Sequence, residues 1–384
     1  MTEQAPVIIS SESPFASDVF VKRHPALIDR LMEAWPYGPE QRRALADLAE
    51  ENIAGVIQPL PDGAVDAEQW KSWGAGFYGQ RWTEVPFLWA ESFFYRRLLE
   101  AVGYFKPGPW QGMDLFAPFK RVELAGEAVS AEIGALDQLA GLADDDRGRA
   151  LLLSSLWGNR ADLGFQITAG QGIKASGLVA DDSACLWELL RCEPGGKVVL
   201  VADNAGSEMV ADLAFVDYFL THGLASEVVL HIKPLPYYVS DAVLSDVADC
   251  MRELLSSKGE GRCVGERLRE AAAAGRLRVR AEAFFCAPFD FAAMSEGLRE
   301  EFASATLTIL KGDLNYRRLV GDRWWEPTTP FAEVTGYFPG RVATLRTLKS
   351  DVIVGLDSCT VAELDAIGES WRTSGTHALI QARL

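Results

Sequence analysis

The segment most suited to chemistry is residues 198–217, VVLVADNAGSEMVADLAFVD. It predicts a buried strand, a glycine-containing turn and an almost wholly apolar helix. The acidic and amide side chains set into this apolar background are Asp203, Asn204, Glu208, Asp212 and Asp217. A buried carboxylate is costly unless it is paired, hydrogen-bonded or bound to a metal. One interpretation is a divalent cation held by Asp203 and Asn204, and the other is a turn that only caps the helix.

The next predicted strand, VVLHIK, leads into the loop PLPYYVSDA. Ser240 and Asp241 are typical of a helix start, so Asp241 is interpreted either as a cap or as a metal ligand. If the two strands are neighbours in a doubly wound sheet, Asp241 faces the same crevice as Asp203 and Asn204. Three oxygen ligands would then converge, with open positions left for water and substrate.

Basic residues follow the later predicted strands. The strand TLTILK ends in KGDLNYRRL, and the last predicted unit carries LRTLK. Lys and Arg at strand ends suit a phosphate, whose oxygens need charged donors, whereas a solvated basic surface is the alternative. The candidate residues of these two segments are Lys311, Asp313, Asn315, Tyr316, Arg317, Arg346 and Lys349.

Two further polar motifs lie in the N-terminal half of the chain. LWGNRADLGF places Asn159 and Asp162 just after an apolar helix, where they either cap that helix or reach the crevice. Glu91, within LWAESFFYRRLLEA, is an acidic residue on an aromatic-rich helix. It precedes Tyr95 by four residues, so the two side chains can also form only a hydrogen-bonded pair in a helical core.

The pattern of apolar residues divides the chain into three parts. Residues 1–16 are polar and predict a loose segment, and residues 17–191 carry apolar positions at helical spacing, which predicts a helical domain. The segment CEPGGK, residues 192–197, breaks this pattern. Residues 192–384 then alternate strands with helices. We therefore predict an α/β fold in which a helical N-terminal domain packs on a doubly wound, mostly parallel α/β domain.

The C-terminal part contains six strand-like runs and two clear helix starts. We predict helices from Ser207 and from Ser240. The predicted strands are KVVLVA, SEVVLHIK, RLRVRAE, ATLTILK, VATLRTL and DVIVGL. In an open parallel sheet the ligand lies outside the carboxyl ends of the strands, which is where the polar residues above are found.

Composition limits the partners of the protein. The 384 residues carry a formal net charge of −17, which argues against nucleic acid and anionic membranes as partners. The six cysteines form no C-x-x-C pair and no metal-ligand array with the four histidines, so we predict reduced cysteines. The first residues lack the pattern of a signal peptide, and no apolar stretch is long enough to span a membrane. The expected location is cytoplasmic.

Six motifs, in order, resemble the metal-dependent damage-control phosphatases, a family whose human member was first described as a protein-glutamate methyltransferase. The matching motifs are WAESFFYRR, LWGNRADL, ADNAGSEMVADL, YYVSDA, KGDLNYRRL and LRTLK. Together they cover residues 80–356, and the Arg-Thr-x-Lys signature resembles the subfamily linked to sugar phosphates. Ser207 and Gly164 depart from the family pattern, and residues 1–75 match no motif.

The resemblance implies specific roles for the candidate residues. Asp203, Asn204 and Asp241 would bind Mn, Co, Ni or Mg. Glu208, Lys349 and the stretch from Asp313 to Arg317 would contact the substrate. The implied substrate is a small phosphorylated metabolite, such as fructose 1-phosphate or fructose 6-phosphate.

We therefore predict a metal-dependent phosphatase that hydrolyses phosphomonoesters, with Asp203 or Glu208 orienting the attacking water. Lys311, Arg317 and Lys349 would hold the phosphate oxygens. The first alternative is a protein carboxyl methyltransferase that uses S-adenosylmethionine, although the first strand ends with a single glycine rather than a glycine-rich loop. The second alternative is a sugar-phosphate-binding protein without turnover.

Overall fold

A computed structural model describes residues 5–158, 177–367 and 370–384. Within these ranges a seven-stranded sheet forms the centre of the molecule, in the order β1-β7-β6-β5-β2-β3-β4. The strands are β1 (Leu178–Asp181), β2 (Gly196–Val201), β3 (Ala225–Ile232), β4 (Leu277–Ala281), β5 (Leu307–Lys311), β6 (Val342–Thr347) and β7 (Ala378–Arg383).

The sheet is mostly parallel, which confirms the predicted α/β fold. β2 pairs in parallel with β3 on one side and with β5 on the other, and β4 and β6 extend these two sides. β7 is antiparallel to β6, and β1 runs parallel to β7. From β2, the strands β3 and β4 follow on one side of the sheet, and β5 and β6 follow on the other. The strand order therefore switches direction between β2 and β5. Ligand sites of doubly wound sheets form at such a switch.

Helices cover both faces of the sheet. Those before β1 are α1 (Pro14–Asp18), α2 (His24–Ala34), α3 (Pro39–Ala54), α4 (Ala67–Trp73), α5 (Phe87–Val102), α6 (Ala117–Leu124), α7 (Glu127–Leu139) and α8 (Asp144–Trp157). Those after β1 are α9 (Ser183–Cys192), α10 (Ser207–Thr221), α11 (Leu244–Ser256), α12 (Gly259–Ala273), α13 (Glu296–Ala303), α14 (Gly312–Val320), α15 (Phe331–Val334) and α16 (Ser358–Ile367).

The core has two parts, one on each side of the sheet. One part centres on α5, whose aromatic side chains pack with Trp82: the rings of Trp82 and Trp89 lie 5.9 Å and 5.0 Å from that of Phe93. The other part centres on α10, which is buried along nearly its whole length between the sheet and α7, α8 and α12. An almost wholly apolar helix, as in the sequence of α10, is what such a position requires.

Three local predictions differ from the structure. β1 lies within residues 17–191, which were predicted to be helical, because this short strand pairs with β7 about 200 positions later. The run DVIVGL forms no strand; the NH of Val354 instead donates to the hydroxyl of Tyr316 at 3.1 Å. The helix predicted from Ser240 begins four residues later, where Asp246 accepts a hydrogen bond from the NH of Val243. The domain boundary at residue 192 stays a prediction.

No helix in the described part of the chain is both long and apolar enough to cross a membrane. The cytoplasmic location stays a prediction.

Candidate functional site

Side chains from four strand ends gather at the carboxyl edge of the sheet, around the switch between β2 and β5. Asp203 follows β2, and Gly312 opens α14 immediately after β5. Gly312 has a φ of +83°, and any Cβ at this position would overlap the Oδ2 of Asp203. A glycine is therefore required at this close approach of the two strand ends.

Asn204 connects the end of β2 to the loop after β3. Its backbone forms an isolated β-bridge with Asp241, which brings these two predicted ligands together beside Asp203. Their role in metal binding stays a prediction. The amide Nδ2 of Asn204 donates to Asp203 Oδ2 at 3.0 Å and to Glu208 Oε2 at 2.9 Å. The hydroxyl of Ser240 donates to Asn204 Oδ1 at 2.6 Å. This contact fixes the orientation of the amide: its oxygen faces Ser240, and its nitrogen faces Asp203 and Glu208.

Asp203 and Asp241 are both buried, and their carboxylates repel each other. Burial raises the pKa of Asp203 well above its usual range, and the charges of Asp241 and Glu208 raise it further. Burial also raises the pKa of Asp241 to about 6, although Lys233 acts in the opposite direction. Asp241 Oδ2 accepts no hydrogen bond from the described residues. Buried carboxylates with unfilled acceptor positions fit a hard divalent cation.

The donor set contains two carboxylates and one amide oxygen. Within residues 5–158, 177–367 and 370–384, no three His, Cys, Asp or Glu side chains form a group that could hold a metal ion. A cation here would therefore depend on Asn204 as its third protein ligand. Oxygen donors of this kind suit Mg or Mn, which retain water or substrate in their other positions.

Glu208 is held in place by a buried lysine. Lys311 Nζ donates to Glu208 Oε1 at 2.9 Å, to Asp212 Oδ1 at 2.7 Å and to the carbonyl of Ser155 at 2.5 Å. Burial alone would lower the pKa of Lys311, but the charges of Asp212 and Glu208 raise it. Lys311 is fully buried, so its three acceptors use the whole donor capacity of the ammonium. In this structure Lys311 positions Glu208.

Two of the predicted phosphate-binding arginines also point into the protein. Arg317 donates to Asp322 through Nε at 2.7 Å and to Glu91 Oε2 through Nη1 at 2.9 Å. Arg346 donates to Asp313 Oδ1 through Nε at 2.9 Å. Both guanidinium groups are buried, and Arg346 also donates to the carbonyl oxygens of Val352 and Ser350, so their contacts are to the protein itself.

Asn315 and Tyr316 are likewise buried on α14. Asn315 Nδ2 donates to the carbonyl oxygens of Lys311, at 2.7 Å, and Ala202, at 3.2 Å, which ties α14 to the ends of β5 and β2. The hydroxyl of Tyr316 donates to Gln381 Oε1 at 3.1 Å. Their substrate contacts, like those of Arg317 and Arg346, stay predictions.

Lys349 is the predicted phosphate ligand that the structure leaves exposed. It lines a cavity of about 200 Å³ beside Asp203 and Glu208, at the N-terminus of α14. The backbone NH of Lys349 donates to Asp313 Oδ1 at 3.2 Å, which fixes the segment that carries the side chain. The complete lining is Leu156, Trp157, Asp203, Glu208, Gly312, Leu345, Thr347, Lys349 and Gly375.

A larger cavity lies away from these residues. It measures about 670 Å³ and is lined by aromatic side chains of α4 and of the segment after β4, including Trp73 and Phe289. None of the predicted site residues lines it. Of the two cavities, only the smaller one is lined by predicted site residues.

Asn159 and Asp162 lie outside the described residues, as does Gly164. Sequence reasoning missed the contacts of three described residues with the predicted ligands: those of Lys120, of Lys233 and of Ser240, which was interpreted only as a helix start. Lys233 directly follows a buried strand, and this is the same signal that identified Asp203. Lys120 carries no local signal, because its partner Asp241 lies 121 positions further along the chain.

Comparisons with known proteins identify the family of the chain. The family model of the damage-control phosphatase ARMT1-like domain matches residues 14–364. The damage-control phosphatase ARMT1 of Mus musculus is 31% identical over 362 residues, which cover 85% of this chain and 82% of that protein. The human ARMT1 is 31% identical over 334 residues, covering 78% and 75% of the two chains.

The fold comparison agrees. A crystal structure of a DUF89 family protein from Pyrococcus horikoshii aligns with a TM-score of 0.50 and 15% sequence identity, covering 90% of this chain and 93% of the other. This likeness concerns the fold alone. From the family model and the similarity to the vertebrate proteins, the chain belongs to the ARMT1-like damage-control phosphatase family.

Proposed function

We propose that this protein is a metal-dependent phosphatase that hydrolyses phosphomonoesters of small metabolites, with sugar phosphates such as fructose 1-phosphate and fructose 6-phosphate as substrates. The observation that carries the proposal is the convergence of Asp203, Asn204 and Asp241 beside a polar cavity that also contains an exposed lysine, Lys349. Family membership supports the phosphatase activity, and the choice of substrate rests on the Arg-Thr-x-Lys signature.

The metal would be held by Asp203, Asn204 and Asp241. Mn, Co, Ni and Mg are the candidates, because all the donors are oxygens and each of these cations accepts such ligands. A divalent cation at this position polarises a phosphoryl oxygen and lowers the pKa of a bound water. The repulsion between Asp203 and Asp241 supports the assignment, since a bound cation would relieve it.

Two features of the cavity suit a phosphate group. The Lys349 ammonium can approach the phosphate oxygens without breaking a described ion pair, since its side chain is exposed. The N-terminus of α14, at Gly312, lines the same cavity and contributes backbone NH groups and the positive end of the helix dipole. Both groups would stabilise negative charge as it shifts toward the leaving oxygen.

Glu208 lines the same cavity as Lys349. Its carboxylate is fixed by Lys311 and Asn204, so it keeps one orientation. In this orientation Glu208 can accept a hydrogen bond from a sugar hydroxyl or, together with Asp203, from the attacking water. Lys311 thereby acts on the substrate through Glu208.

The test is release of phosphate from p-nitrophenyl phosphate and from a panel of sugar phosphates. Activity is measured with Mn, Co, Ni or Mg and again after addition of a chelator. We expect activity that requires the metal and is abolished in Asp203→Ala. Asp47→Ala, which changes an exposed aspartate on α3, is the matched control and should behave like the wild type.

Three outcomes would contradict the proposal. The first is phosphatase activity that survives chelation, and the second is full activity in Asp203→Ala. The third is metal-independent methyl transfer from labelled S-adenosylmethionine without any phosphate release, which would favour the methyltransferase alternative.

A further inference from the structure

Asp241 is held from two sides by buried lysines. Lys120 Nζ donates to the backbone carbonyl of Asp241 at 2.8 Å, and Lys233 Nζ lies 3.4 Å from the Oδ2 of the same residue. One contact fixes the main chain and the other lies at the carboxylate. Neither the two lysines nor Asp241 itself lines the polar cavity at the carboxyl edge.

Lys120 comes from α6, in the helical region that precedes the sheet in sequence. Only 5% of its surface is exposed. Its ammonium also donates to Asp114 Oδ2 at 2.9 Å and to Asp246 Oδ2 at 2.8 Å, so all three of its protons are used. Asp246 in turn accepts from the NH of Val243. This network binds the segment from Asp241 to Asp246 to the helical region.

Lys233 is placed differently. It directly follows β3, is 2% exposed, and forms no hydrogen bond to the described residues. Its Nζ lies over the rings of Tyr237, at 5.9 Å, and Phe285, at 5.8 Å. Within the described residues, Lys233 forms its ion pair with the carboxylate of Asp241. A buried ammonium in this position orients that carboxylate by charge.

We propose that Lys120 and Lys233 are positioning residues for the metal ligand Asp241, and that the helical region, through Lys120, completes the metal site. The inference rests on the proposed role of Asp241 in metal binding. Groups that hold a ligand in place typically contribute about 10- to 100-fold to metal affinity. Here one group holds the main chain of the ligand and the other lies at its carboxylate, and Lys120 comes from the helical region that precedes the sheet in sequence.

The experiment measures the dissociation constant of Mn for the purified full chain, by electron paramagnetic resonance of free Mn and by calorimetry. The variants are Lys120→Met and Lys233→Met, which keep the length of the side chain and remove the charge. Lys71→Met is the matched control, because its side chain is 71% exposed on α4. We expect the dissociation constant to rise about tenfold or more in each of the first two variants and to stay unchanged in the control.

The outcomes separate this inference from the proposed function. If the wild type binds none of Mn, Co, Ni and Mg, both are overturned. If it binds Mn and the two lysine variants, folded by circular dichroism, bind Mn within twofold of it, the inference alone is overturned. A variant that fails to fold is replaced by its Lys→Gln counterpart, and the same twofold limit applies. A loss of thermal stability with unchanged Mn affinity would likewise reduce the lysines to a structural role.

Discussion

Two buried polar clusters of the molecule differ in the charge that burial leaves on them. In the helical region His24 stacks on Phe94 with ring centroids 3.4 Å apart, and His24 Nδ1 lies 3.0 Å from Asn52 Oδ1. Burial lowers the pKa of His24 to about 3, so the imidazole stays neutral at physiological pH. We call these three residues the His24 cluster.

At the carboxyl edge of the sheet, burial is applied to charged groups. The strand-end cluster consists of Asp203, Asp241, Glu208, Asp212 and Lys311. Lys311 pairs with Glu208 and Asp212, although burial still raises the pKa of Asp212 to about 6. Asp203 and Asp241 also have raised pKa values, and their charges repel each other. The two clusters therefore differ in charge: burial keeps the His24 cluster neutral, whereas the strand-end cluster keeps several carboxylates in unfavourable surroundings, as functional sites often do.

The largest effect should come from Asp203→Asn, which removes a charge from the strand-end cluster. We expect activity to fall roughly 10⁴-fold, about 5.5 kcal/mol of activation free energy. The free energy of unfolding in metal-free buffer should stay equal or increase, since the substitution relieves repulsion with Asp241 and Glu208. Steady-state kinetics and urea unfolding measure the two quantities. A variant that is both inactive and clearly less stable would contradict the assignment of Asp203 to function.

Lys311→Met, in contrast, should lower the stability of the fold, because it leaves Glu208 and Asp212 without their buried cation. We expect a loss of about 3–5 kcal/mol in the free energy of unfolding. Urea unfolding at pH 7 measures it, and the double variant Lys311→Met with Asp212→Asn should recover part of the loss. Equal stability of Lys311→Met and wild type would show that the strand-end cluster does not depend on this ion pair.

The His24 cluster predicts a pH effect on stability. The pKa of His24 is about 3 in the folded protein and 6.5 ordinarily, so its contribution is full above pH 6.5 and is lost as the pH falls. By pH 5 the loss should reach about 2 kcal/mol. Urea unfolding at pH 7 and pH 5 tests this, with His24→Gln losing less stability than the wild type. His377→Gln, at a partly exposed histidine, is the control and should follow the wild type.

The smallest effect should follow Lys349→Ala, at the exposed rim of the strand-end cluster. We expect KM for a sugar phosphate to rise about tenfold, which corresponds to ~1.4 kcal/mol. The free energy of unfolding should change by less than about 0.5 kcal/mol, because the side chain is exposed. Lys258→Ala, another exposed lysine, is the control and should leave both quantities unchanged. An unchanged KM would remove Lys349 from the substrate site.

The parts of the fold that the sequence predicts correctly are those with strong local signals. The run KVVLVA is β-branched and follows a Pro-Gly-Gly break, and it forms β2. Asp241 could be placed beside Asn204 because neighbouring parallel strands end at the same edge. β1 has no comparable signal, since four residues of ordinary composition become a strand only by pairing with β7.

The direction of a charged side chain was the harder part to predict. Lys311 ends β5, Arg317 lies in α14 and Arg346 lies near the end of β6, which are positions that suit phosphate-binding residues, yet each forms a buried ion pair with a carboxylate. Asp212 and Asp322 supply two of these carboxylates, and neither could be assigned to its partner before the elements were packed. A sequence pattern thus identifies the edge of the sheet, whereas tertiary packing decides which cation faces the ligand.

The close approach of Gly312 to Asp203 affects how relatives of this protein should be classified. Motif searches score the residues that bind or react, and a homologue with Asp203, Asn204, Asp241 and Lys349 in place would pass such a search. A single added carbon at position 312 would nevertheless occupy the space of the Asp203 carboxylate. A homologue with alanine there would keep every ligand residue and lose the arrangement, so the glycine belongs in the diagnostic signature.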